Sequence, residues 1–163
     1  MTTLNNNNNK PADITLKIPA EGEHISQISV ALHSLCFYAT GKEDFAIQMQ
    51  QALVEALNNV VEHAYNNQAG HDITVCYYQA HNHIRIDIID SGKSMSALPE
   101  PVLPEFDAES GRGWWIIHCC VDSYHYKVIE QVQHCQVLSL SDNAPKTTHI
   151  AANTNILTLI KHF

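Results

Sequence analysis

Glu55, Asn59 and His63 stand four residues apart in the run E-A-L-N-N-V-V-E-H-A-Y over 55–65. On a helix that spacing lines a carboxylate, an amide and an imidazole along one edge. The neutral oxygen of Asn59 suits magnesium, which keeps most of its water and bridges phosphates. Glu55, one turn earlier, has the reach to take a proton from a hydroxyl aligned on a terminal phosphate. A half-exposed polar edge would carry the same residue types, so this helix alone leaves both readings open.

Two further strings bear on the same chemistry. Asp90-Ser91-Gly92 closes an alternating apolar run. A carboxylate at a strand tip can accept a hydrogen bond from an exocyclic amine, and a glycine two residues on lets a flat ring approach the backbone. Gly111-Arg112-Gly113 opens an apolar helical run. Small residues there let N–H groups turn toward an anion at the helix N-terminus, and Arg112 can fork onto phosphate oxygens. Neither string completes a nucleotide fingerprint: Ile116 stands where a third glycine would, and no G-x-x-x-x-G-K-[ST] run occurs. Taken singly, each is also what an ordinary turn would show.

The elements that must position these residues follow from periodicity. Residues 1–11, with a polyasparagine run at 5–9, carry nothing to pack a core and are expected to be a disordered lead. Ile14, Leu16 and Ile18 alternate as a strand, which Pro19 ends. Ile25, Ile28, Ala31, Leu32 and Leu35 step as a helix over 23–39, with Gly41 as its stop. Phe45, Met49, Leu53, Ala56, Leu57, Val60 and Ala64 then mark the apolar stripe of a long helix over 43–65. Ile73, Val75 and Tyr77, then Ile84, Ile86 and Ile88, make an antiparallel hairpin across a link at 81–83. Residues 93–110, with Pro99, Pro101 and Pro104, read as a lid-like loop. A helix over 114–121 and a strand over 124–129 follow. Residues 137–140 offer one more strand, 143–149 read as loop, and 156–160 as a last buried strand.

Composition bounds the rest. With 163 residues, 45% of them hydrophobic and 16% charged, the chain reads as one globular domain over 12–163. A net charge of −8 argues against a nucleic-acid or anionic-membrane partner. The start does not resemble a signal peptide, and no apolar run reaches the roughly 18 residues of a membrane span, so a cytoplasmic protein is expected. Five scattered cysteines without a C-x-x-C pair read as free thiols.

Together, the three strings resemble the histidine-kinase-type ATP-binding superfamily and, within it, the bacterial anti-sigma-factor serine/threonine protein kinases of partner-switching pathways. Glu55, Asn59, His63, Ala64 and Tyr65 look like that family's N box. Asp90-Ser91-Gly92 looks like its first glycine box. Glu109-Ser110-Gly111-Arg112-Gly113, with the apolar run and Asp122 behind it, looks like its second. The resemblance covers about 14–161. It implies a two-layer α/β sandwich: a mixed, mainly antiparallel sheet covered on one face by about three helices. It implies ATP and Mg2+, with Asn59 on the metal, Asp90 on the adenine amine, and Gly92 under the ring. Gly111, Arg112 and Gly113 would lie on the phosphates, and Glu55 would be the base for a partner's Ser or Thr hydroxyl. His63 would pack or orient the helix end.

The implied partners are an anti-sigma antagonist protein and a sigma factor, and the implied assembly is a homodimer. A nucleotide-binding module that switches partners without transfer is the alternative function, and an ATP hydrolase using Glu55 on water is a third. The chain departs from the family pattern at Lys93-Ser94-Met95, after the first glycine box. It departs again at Asn153-Thr154-Asn155, where relatives show a G-T pair, and in an insertion between the last strands.

Overall fold

A computed structural model describes residues 10–103, 105, 111–137 and 146–163; at 131–137 and 146–152 it describes the backbone. The polyasparagine run lies outside these residues. The chain folds as β1 (Ile14–Pro19), α1 (Gly22–Thr40), α2 (Glu43–Asn59), β2 (Asp72–Gln79), β3 (His83–Asp90), α3 (Gly113–Cys120), β4 (Ser123–Val137) and β5 (Lys146–His162). The five strands form one sheet in the order β1-β2-β3-β5-β4. The sheet expected to be mainly antiparallel is antiparallel at every described pairing.

Strand alternation decides which face is covered. Val75, Ile86, Ile88, Leu157 and Leu159 share one side by register and are buried. Against them lie Ala46, Met49, Ala52, Leu53, Ala56 and Leu57 of α2, each fully buried. The apolar stripe expected on the long helix is therefore the centre of the core. From α1 come Ile25, Ile28, Leu32 and Cys36, and from α3 Ile117 and Cys120. Ala31, placed on the α1 stripe by its spacing, is exposed, and Ser29 and Cys36 are buried instead. Burial pushes the Cys36 thiol up to about 12. Gly41 ends α1 as expected: at φ +66° its N–H reaches the Phe37 carbonyl at 2.7 Å.

Two expectations are corrected. The helix over 43–65 is not α-helical throughout. After Asn59 it widens into a π-helical turn, Val60–Ala64, closed by the Tyr65 N–H on the Val60 carbonyl at 3.0 Å. Such turns shift the helical phase, so His63 no longer stacks one α-turn beyond Asn59. The loop expected over 143–149 is also shorter. The β4–β5 ladder pairs residue by residue out to Val137 and Lys146, so 146–149 belong to a strand. Its residues there are polar and short of apolar alternation, which is why periodicity misses it. Of the further strand expected over 137–140, Val137 instead closes β4, and 138–140 lie outside the described residues.

Removing a fully buried α2 side chain should be felt globally. Leu53→Ala should cost about 2–5 kcal/mol in urea unfolding, the usual range for a core leucine. A loss below about 1 kcal/mol would contradict the placement of α2 at the centre of the core.

Candidate functional site

The site is built where the end of α2 meets the tip of β3. Gly92, just past the strand, lies against Ala64 so closely that a Cβ there would sit 2.6 Å from the Ala64 carbonyl oxygen and 2.8 Å from its Cβ. The Lys93 N–H donates to that same carbonyl at 2.9 Å. Tyr65 fastens the joint from the other side. Its hydroxyl accepts the Ser91 N–H at 2.9 Å and donates to the Asp72 carbonyl at 3.0 Å, while its ring stacks on His71. The π-helical turn thus delivers a carbonyl and a phenol to the strand tip.

A cavity of about 410 Å³ opens beside this joint. Its lining includes Asn59, Asp90, Ser94, Trp114, Tyr126 and Asn155. Asp90 is buried, at 7% exposure, and so is Asn155, at 1%. Asp90 Oδ1 accepts the Gly92 N–H at 2.9 Å and the Asn155 amide at 2.7 Å. Burial holds the Asp90 carboxyl above the ordinary range, against the pull of those two bonds. A buried carboxylate with an oxygen to spare is an acceptor waiting for a donor in the cavity.

α3 starts against α2, and its Trp114 joins the lining of the cavity. Gly113 lies so near that a Cβ on it would come 3.0 Å from Glu55 Oε2 and 3.6 Å from Asn59 Oδ1. The Asn59 Nδ2 is buried and has no hydrogen-bond partner among the described residues. That amide therefore offers a donor suited to an anionic oxygen, beside an oxygen suited to a cation. Glu55 itself lines a second cavity of about 350 Å³, with Gln50, Gln51, Val54 and Ile116. Burial, and then the Glu62 charge, raise its carboxyl pKa. Glu55 thus lies beside Gly113 and opens to this second cavity.

The structure thus brings Glu55 and Asn59 close to Gly113, and Asn59 and Asp90 into the lining of one cavity. Gly111, at φ +90°, and Arg112 are exposed ahead of α3. His63 lines the cavity but is exposed. Sequence reasoning missed Asn155, Ser94, Tyr126 and Trp114 as site residues. A signal for Asn155 exists: it alternates with Leu157 and Leu159 on the buried side of β5, where a polar side chain needs a partner.

Comparison with known proteins places the chain in a family. A family model for the histidine kinase-like ATPase domain matches residues 18–141. The chain belongs to the histidine kinase-like ATPase domain family, as its three motifs indicate, and this is an ATP-using domain. It is similar to the protein named serine-protein kinase RsbW in Bacillus mycoides, with 29% identity over 118 residues that span 67% of this chain and 73% of that protein. Proteins of the same name in Bacillus cereus and Bacillus thuringiensis are 29% and 28% identical over the same shares. No helix among the described residues is long and apolar enough to cross a membrane.

The two close glycines should respond differently to a methyl group. Gly92→Ala meets backbone and a short side chain, so it should destabilise the fold by about 1–3 kcal/mol, as overpacking does. Gly113→Ala meets the far end of Glu55, which can swing aside, so its stability should stay within about 0.5 kcal/mol. Thermal unfolding of both variants checks this; equal stability of the two would contradict the close docking of Gly92 on Ala64.

Proposed function

We propose that this chain is an ATP- and Mg2+-dependent serine/threonine protein kinase of a partner-switching pathway, which phosphorylates an anti-sigma antagonist protein and alternatively holds a sigma factor. The observation that carries the reading is the junction at Gly113. A base candidate, Glu55, and a metal-ligand candidate, Asn59, both lie close to it, and Asn59 shares the lining of one cavity with Asp90. The name serine-protein kinase carried by the Bacillus relatives supports the same reaction class.

In this reading Asp90 accepts the exocyclic amine of adenine, and Gly92 leaves room for the ring. The mouth of α3 at Gly111, Arg112 and Gly113 takes the phosphates on backbone N–H groups and the guanidinium. The Asn59 oxygen would hold magnesium, which would supply positive charge to the phosphates. The partner's Ser or Thr hydroxyl approaches from the Glu55 side. Its oxygen bonds to the terminal phosphorus, ADP leaves with the bridging oxygen, and Glu55 takes the hydroxyl proton. A raised pKa suits that task, because it makes Glu55 a better base. The 93–110 segment would close over the nucleotide. We also propose a homodimer and a cytoplasmic location, in keeping with the partners named.

Phosphotransfer from ATP to the antagonist protein tests the proposal. Glu55→Gln should leave ATP affinity near normal and lower transfer by roughly 10²–10⁴, the usual worth of a positioned base. Asn59→Ala should lose magnesium-dependent ATP binding as well as transfer. A Glu55→Gln protein that transfers at the normal rate would remove Glu55 from the base role. Binding without transfer in the unmodified protein would favour a nucleotide-occupancy switch instead.

The pH profile carries a sign. A base works only when ionised, so transfer should fall as pH drops through the Glu55 pKa, above the ordinary glutamate value of about 4.3. Because the Glu62 charge contributes to the rise, Glu62→Gln should move that acidic limb to lower pH. A limb unmoved by Glu62→Gln would mean that another group titrates.

A further inference from the structure

Asn153-Thr154-Asn155 and Lys93-Ser94-Met95 stand apart in the sequence and look like two unrelated departures from the family pattern. In the structure they are one feature. Asn155 is the direct cross-strand partner of Asp90, at the point where β5 passes the tip of β3. Its Nδ2 donates to Asp90 Oδ1 at 2.7 Å and to the Gly92 carbonyl at 3.1 Å. Its Oδ1 accepts the Ser94 hydroxyl at 2.6 Å. The Ser94 oxygen in turn accepts the Asn153 amide at 3.4 Å. The donors therefore run in one direction, from Asn153 through Ser94 and Asn155 to Asp90.

That direction matters. An amide turned the other way would set its oxygen against two acceptors, the Asp90 carboxylate and the Gly92 carbonyl, inside a buried pocket. Ser94 donates to the oxygen so placed and completes the network around that orientation. Asp90 Oδ1 is engaged by two donors from the protein, Gly92 N–H and Asn155 Nδ2. Its Oδ2 is the oxygen left to a ligand in the cavity that both residues line. The same contacts tie down the start of the 93–110 segment, where the Met95 N–H also donates to the Tyr126 hydroxyl at 3.0 Å.

We propose that Asn155, oriented by Ser94, is a positioning residue that sets Asp90 to select purines bearing a 6-amino group. This rests on the reading of the cavity as an ATP site. Asn155 acts through Asp90, by holding one carboxylate oxygen and the Gly92 carbonyl so that the other oxygen points at one place. The departure from the G-T pair and the serine after Gly92 then compensate one another: each supplies half of a hydrogen-bonded pair.

The test compares two ligands on the full chain with Mg2+ by calorimetry: ATP, and purine riboside triphosphate, which is ATP without the 6-amine. The unmodified protein should prefer ATP by about tenfold or more, the worth of one hydrogen bond to a buried charge. In Asn155→Ala the preference should shrink at least about fivefold because ATP binding weakens, while the analogue changes by less than about twofold. Ser94→Ala should shift the preference the same way by a smaller factor. A purely structural role would weaken both ligands alike, and that result, or an intact preference in Asn155→Ala, overturns the inference alone. If Asn155→Ala fails to fold, Ser94→Ala decides, and an unchanged preference in it overturns the inference. Equal binding of both ligands by the unmodified protein overturns the reading of the cavity itself, and this inference with it.

Discussion

Everything at the site depends on one close approach: the end of the long second helix seated on the tip of β3. Gly92 can lie against Ala64 only because it has no Cβ. The Ala64 carbonyl, freed by the π-helical turn, finds the Lys93 N–H, and the Tyr65 hydroxyl joins Ser91 to Asp72. These bonds satisfy backbone groups that the end of a helix and the end of a strand would otherwise expose. They also tie the helix that carries Asn59 to the strand that carries Asp90, two residues that line one cavity. Rigid elements thus carry the side chains.

The polar groups in this joint are handled in two ways. Asp90 and Asn155 are deeply buried and bonded to each other, so their geometry is set before any ligand arrives. Glu55 and Asn59 are half-buried and sit against Gly113, where a helix begins. Burial raises the carboxyl pKa at both Glu55 and Asp90, but for opposite uses in the proposed reaction. At Asp90 it strengthens a hydrogen bond that must discriminate. At Glu55 it tunes a group that must pick up a proton.

Much of this was legible in the sequence because the core obeys simple periods. Phe45, Met49, Leu53 and Leu57 step at four-residue spacing and are all buried, and the alternating isoleucines of β3 mark its covered face. The three motif strings locate the helix end, the strand tip and the start of α3. What periodicity could not show was the phase change after Asn59, since a π-helical turn leaves the apolar spacing nearly intact. Nor could it show the pairing of the strands beyond Ile129, where the sequence carries little apolar alternation and the ladder still runs on. Asn155 escaped for a third reason. Its meaning comes from a partner 65 residues away, and only the strand register brings Asp90 opposite.

The central claim is that ATP occupies the space between the helix end and the strand tip. Amide chemical shifts of the labelled full chain, followed as Mg2+ and ATP are added, test it most directly. The account predicts the largest changes at Gly92, Lys93, Gly113, Trp114 and the Asn155 side-chain amide, with little change at Thr74, Cys76 and Arg85 on the opposite face of the sheet. Changes centred on that opposite face, or none at saturating ATP, would contradict it.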